Sequence, residues 1–111
     1  MNNAVNGTGI HIHLMNACSV ANKTAIIPEY ATDNVDMLAI TETWMKHNDP
    51  VTANELTPPG FSLHHAPRVG RVGGGVGILY KNEFKLTAKE NPTMSYFIIV
   101  MNPPYYMYFQ E

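Results

Sequence analysis

The chain reads as α/β, and three observations carry that reading. Residues 10–16 are a short, largely apolar run ending on Asn16, and Met37 to Ile40 are four apolar residues ending on a polar stretch that contains Glu42. The stretch between them carries helix signals and is long enough to cross back over a sheet. Further apolar and β-branched runs follow at short intervals, separated by Gly, Pro and Asn. A strand–helix–strand unit favours parallel neighbours, so both strands are expected to deliver a polar residue to one edge of a sheet.

Residues 1–9 form a lead-in rich in Asn and Gly. Residues 10–16 alternate imperfectly, with Ile10, Ile12 and Leu14 set against His11 and His13, and give the first strand. Ser19 is placed to cap a helix whose apolar face would be Ala21, Ala25, Ile26 and Tyr30. Pro28 lies inside that stretch, so the helix must kink or begin late. Residues 32–35 read as the return loop. The run Met37-Leu38-Ala39-Ile40 suits a strand buried on both faces, with Glu42 at or just past its C-terminal end.

Asn48-Asp49-Pro50 and Pro58-Pro59-Gly60 are loop and turn signals, and any helix between them, over residues 52–56, is short. Residues 61–65 read as a third strand and residues 66–74 as a basic, glycine-rich loop. A fourth strand is expected over 75–80, with glycines where another backbone approaches closely. Residues 84–88 and 96–101 give a fifth and a sixth. The tail, 102–111, holds Pro103-Pro104 and four aromatics, without an assigned element. No internal repeat is visible.

At 111 residues the chain is one small domain or a piece of a larger one. Hydrophobic residues make up 45%, enough for a core, whereas charged residues make up only 14%, against about 25% in an average soluble domain. So sparse a charge suits surfaces that expect to be covered. One cysteine, Cys18, excludes an internal disulfide framework and a multi-cysteine zinc site, and points to a reducing compartment. No apolar run is long enough for a membrane helix, and the polar N-terminus has no signal-peptide pattern. Charge is unevenly spread. Residues 29–55 hold six acids and one cation, Lys46, whereas residues 68–89 hold five cations and one acid, Glu83. Such a division suits a nucleic-acid enzyme, and it equally suits two solvated faces.

Each candidate constellation has a plain structural alternative. Glu42 is a metal ligand, an acid/base group, or a solvated residue that ends a strand. Residues 73–77 lack the Lys-Ser/Thr ending of a phosphate loop and precede a strand instead of following one, so they read as a close-packed turn leading into a central strand. His11 and His13 share a strand face, without a third ligand at metal spacing. Cys18 has no evident activating base.

Several stretches nevertheless occur together in a familiar order: Met15-Asn16-Ala17 after a strand, Leu38 to Trp44 (L-A-I-T-E-T-W), Pro59-Gly60-Phe61, and Arg71 to Tyr80 (R-V-G-G-G-V-G-I-L-Y). In this order the chain, over residues 10–89, resembles the N-terminal part of an endonuclease/exonuclease/phosphatase domain. It is most similar to the apurinic-type endonuclease of non-LTR (LINE-type) retrotransposons. The resemblance implies a four-layer α-β-β-α sandwich, here partial and truncated, with residues 10–101 as its N-terminal half and 102–111 as a tail foreign to the family. It also implies Mg²⁺-dependent (or Mn²⁺-dependent) hydrolysis of DNA phosphodiesters. Glu42 matches the family's metal-binding glutamate and Asn16 its active-site asparagine, and Arg68 and Arg71 fall where DNA backbone contacts are expected.

The departures bear on activity. Cys18 stands where many members carry a second polar or basic residue. Either Val100 to Pro104 is the segment that normally supplies a catalytic tyrosine, with Met101 near its place, or residues 91–111 are foreign to the family. The later Gly-Asp-Phe-Asn and Ser-Asp-His motifs are absent. The expectation is therefore a DNA endonuclease fragment, inactive alone, from an intracellular and nuclear parent activity, missing its C-terminal half and once joined to a reverse transcriptase. The alternative is a non-catalytic fragment that binds a protein partner through exposed strand edges.

Overall fold

The computed structural model describes residues 10–67, 73–84, 87–91, 94–100 and 106–110. The lead-in 1–9, Arg68, Arg71 and Met101 lie outside the described residues. Among those described, a four-stranded mixed sheet is formed by β1 (Ile12–Asn16), β2 (Met37–Thr41), β3 (Phe61–Ala66) and β4 (Val76–Lys81), in the order β1-β2-β4-β3. Two helices, α1 (Ile26–Asn34) and α2 (Pro50–Leu56), accompany it. A three-stranded antiparallel sheet follows, β5 (Thr87–Asn91), β6 (Met94–Val100) and β7 (Tyr106–Gln110), in the order β5-β6-β7.

β1 and β2 are parallel, with Ile12 opposite Met37 and Asn16 opposite Thr41. The crossover between them is α1, as the strand–helix–strand pattern expects. β4 runs antiparallel to both of its neighbours, pairing Thr41 with Val76 on one side and Ala66 with Val76 on the other. β4 is therefore the central strand that the glycine run leads into.

The helix is where sequence and structure part. α1 starts at Ile26, so Pro28 falls in its first turn, where the missing N–H loses no intrahelical bond. Its buried face is Ile27 and Ala31; Ile26 and Tyr30, assigned to the apolar face from sequence, are exposed, and Ala21 and Ala25 precede the helix. The cause is local. Ser19 accepts the Ala21 N–H through its hydroxyl at 3.3 Å, which holds residues 19–25 in turns instead of capping a helix there. The helix then runs through Asn34, into the segment expected as loop. α2 differs in the other direction. Asp49-Pro50, a loop signal on its face, is a helix start: the Asp49 carboxylate accepts the Thr52 N–H at 3.4 Å and Pro50 occupies the first turn. β5 begins three residues later than expected, and the tail supplies β7.

The mixed sheet is apolar on both faces. One face carries Leu38, Ile40, Leu79 and Phe61 against Ile27, Ala31 and Leu56 of the helices. The other carries Met37, Ala39, Val76, Ile78 and Tyr80, with Ala66. Burial of each large side chain contributes about 1.5–3 kcal/mol. The second face thins out at its β1 border, where Ile12 is 39% and Leu14 68% exposed although their register partners Met37 and Ala39 are buried. No described helix is long and apolar enough to cross a membrane.

At the end of the sheet away from Asn16 and Glu42, Asp36 ties three segments. Its carboxylate accepts the His11 backbone N–H at 2.8 Å and lies 3.0 Å from the Lys81 ammonium, and its carbonyl accepts the Lys81 N–H. Partial burial raises the Asp36 pKa. The His11 N–H, then the Lys81 ammonium by hydrogen bond and by charge, then the His11 charge outweigh it and hold the group below its ordinary value.

Two expectations follow from this packing. Leu79→Ala should cost about 2–5 kcal/mol of unfolding free energy, and Leu14→Ala less than about 0.5 kcal/mol, by urea titration followed with circular dichroism. Equal losses would mean that the outer face of β1 is covered after all. Because the folded Asp36 carboxyl is depressed, its contribution is present above the unfolded carboxyl pKa of about 3.9 and disappears as pH falls through the folded value. The stability gap between wild type and Asp36→Asn should therefore be constant from pH 7 to 5 and close on further acidification. A gap that widens in acid would contradict the depressed carboxyl.

Candidate active site at the edge of the mixed sheet

The parallel pairing of β1 and β2 sends both strands out at the same edge. Asn16 ends β1 opposite Thr41, and Glu42 is the next residue after Thr41. The asparagine side chain is exposed and the glutamate half-buried. Asn16, the last residue of β1, and Glu42, the residue after β2, both singled out from sequence, thus stand at one end of the sheet.

Beyond the strand ends, the two segments stay paired. Ala17 donates to the Thr41 carbonyl at 2.9 Å, Ser19 to the Glu42 carbonyl at 2.8 Å and Val20 to the Thr43 carbonyl at 3.1 Å. On the other side, Thr43 donates to the Gly75 carbonyl at 3.2 Å and Trp44 to the Gly74 carbonyl at 2.7 Å. Residues 42–44 are consequently clasped between residues 17–20 and the glycine run.

The clasp forces an unusual backbone. Glu42 and Trp44 both adopt the left-handed region, at φ 55° and 57°, as do Cys18 and Ser19 at 49° and 83°. For residues with a Cβ each such conformation costs on the order of 1–3 kcal/mol and persists only where surrounding contacts over-determine it. Thr43, between the two, is 2% exposed, and its hydroxyl accepts the Met45 N–H at 3.4 Å. The alternation buries the threonine while its neighbours stay at the surface, with Trp44 50% exposed.

The glycines answer these residues one by one. A Cβ on Gly75 (φ 92°) would stand 2.7 Å from the Thr43 hydroxyl and 3.3 Å from the Ala66 carbonyl oxygen. A Cβ on Gly73 (φ 81°) would stand 3.3 Å from the Trp44 indole nitrogen. This is the close-packed turn expected from sequence, and its partner is the residue 42–44 segment. The indole N–H in turn donates to Oε1 of Glu42 at 3.2 Å. Sequence reasoning noted Trp44 without giving it a role; that a lone tryptophan lies two residues from the glutamate was the available signal.

Among the described residues, no group of three or more His, Cys, Asp or Glu side chains could hold a metal ion between them. His13 is engaged elsewhere, sharing a hydrogen bond with the Tyr30 hydroxyl. One half-buried carboxylate and one exposed amide do not by themselves make an all-protein cage. Mg²⁺ in general keeps several waters and takes one or two carboxylates, with phosphate oxygens completing its shell. No protein-family model matches this chain, and no curated protein matches it.

Gly75→Ala tests the clasp. The added methyl meets the Thr43 hydroxyl and forces a left-handed alanine, so a destabilisation of at least about 1 kcal/mol is expected. Thr43→Ala removes the clashing oxygen but not the backbone strain, so the double mutant should recover part of the loss, a coupling readable by a double-mutant cycle in urea. Strict additivity would show that the two residues do not meet.

Proposed function

We infer that the Asn16–Glu42 edge is the metal-and-phosphate side of a Mg²⁺-dependent phosphodiesterase acting on DNA. The parent activity is that of the endonuclease/exonuclease/phosphatase domains of non-LTR retrotransposons, with their two-sheet sandwich. The observation that carries this reading is that both polar strand ends leave parallel neighbours at one edge, the place where layered α/β folds collect ligands.

Glu42 supplies the carboxylate of such a site. Bound Mg²⁺ would polarise the phosphoryl group and stabilise the departing oxygen. Asn16 adds an uncharged amide that can donate to a phosphate oxygen without repelling or neutralising anything nearby. Arg68 and Arg71, which precede the glycines in the sequence, would bring positive charge to the nucleic-acid backbone.

What these residues do not provide is a base to activate water. Asp-His occurs nowhere in the 111 residues, and neither does Asp-x-Asn. General acid/base help is worth about 10²–10⁴ in rate. The chain by itself therefore binds the parts of the reaction without completing it. A supercoiled-plasmid assay with Mg²⁺ should show no nicking above background for wild type or Glu42→Ala. Nicking by the wild type that the mutant lacks would make this chain an enzyme in its own right.

A second reading, a protein-interaction module working through strand edges, is favoured by one feature. β1 borders the mixed sheet and exposes Ile12 and Leu14. Under that reading Leu14→Lys reduces self-association in sedimentation velocity; identical profiles for the two chains count against it.

A further inference from the structure

We propose that Trp44 is a positioning residue whose indole N–H holds the Glu42 carboxylate in place for a divalent cation. The inference rests on the metal reading of Glu42 and adds to it the group that orients the ligand. Four observations carry it. The indole N–H donates to Glu42 Oε1 at 3.2 Å. The tryptophan backbone is fixed by a 2.7 Å bond from its N–H to the Gly74 carbonyl. Gly73 leaves the space that the indole nitrogen occupies, because a Cβ there would approach it to 3.3 Å. Half of the side chain remains exposed, which is more than a residue retained for core packing requires.

The chemistry of the donor matters. An indole is donor-only and uncharged, so it fixes a carboxylate oxygen without neutralising the negative charge that attracts a cation. A lysine or arginine at the same place would compete with the metal for the carboxylate. A glutamate side chain without such a hold loses rotamer entropy on binding a cation. Held beforehand by the indole, it has already lost most of that freedom, which is how a hydrogen bond to a ligand's far side strengthens a metal site. The left-handed backbone at both residues is the local cost of presenting glutamate and indole together at the surface.

The chain has a single tryptophan, so one indole N–H resonance reports the contact in a ¹⁵N–¹H correlation spectrum. That resonance should lie downfield in the wild type, move upfield in Glu42→Ala, and shift saturably as Mg²⁺ is added. Residue-specific replacement of the tryptophan by benzothienylalanine keeps the ring shape and deletes the N–H. It should weaken Mn²⁺ binding, measured by water proton relaxation, by roughly tenfold or more, with Trp44→Phe behaving alike. An indole resonance indifferent to Glu42→Ala, or a benzothienyl analogue that binds Mn²⁺ as tightly as the parent, overturns the proposal. Should Mn²⁺ binding survive Glu42→Ala unchanged, the metal reading of Glu42 fails, and the positioning role for a cation fails with it. A resonance that still moved would then leave only a structural bond.

Discussion

The structure depends on one constraint: β2 is buried on both faces, so every backbone polar group along it has to be paired within the sheet. Leu38 and Ile40 face the helices, and Met37 and Ala39 face the other side. With no water at hand, an unpaired N–H or C=O there costs as much as a lost hydrogen bond. β1 supplies the partners along one side and β4 along the other. The helical crossover makes the first pairing parallel, and the parallel pairing brings Asn16 and Glu42 to the same edge. The candidate site is thus a by-product of satisfying the most apolar strand in the sheet.

The same demand continues past the strand ends. The chain leaving β2 stays hydrogen-bonded on both sides, to residues 17–20 and to the glycine run, and only glycine fits where Thr43 presses in. Rigid support of this kind is what a surface carboxylate needs if it is to hold one orientation. The strain at Glu42 and Trp44 is sustained by contacts with two other segments, neither of which is adjacent to them in sequence.

How far the fold could be read from sequence depended on the range of the interactions involved. The two polar strand ends, the crossover and the central position of β4 follow from apolar runs and glycine placement, both local signals. Pro28 correctly placed a limit on α1, but its buried face was misassigned because the Ser19 hydroxyl bonds the chain two residues on and delays the helix. Asp49-Pro50 has the same composition in a turn and at a helix start, and only the Thr52 N–H distinguishes the two. β7 has aromatics at 106, 108 and 109, a spacing without the strict alternation that marks a strand. The contact between Trp44 and Gly73 joins residues far apart in the chain, which no periodicity reveals. The chemistry proposed for the edge rests on the order of whole motifs, since a strand-terminal glutamate is by itself equally at home in water.

The strand order has a consequence for how the chain acquires its shape as it is made. β3 leaves the ribosome before β4, yet β3 is not a neighbour of β2: β4 must slot in between β2 and β3. Until that happens, one border of β2 has no mate and β3 has nothing to lie against, so both expose pairing groups that another nascent chain could capture. The glycine run arrives together with β4. The clasp around Glu42 and Trp44 therefore closes in the same event that seals the centre of the sheet, and the edge that carries the carboxylate is among the last parts of the mixed sheet to take form.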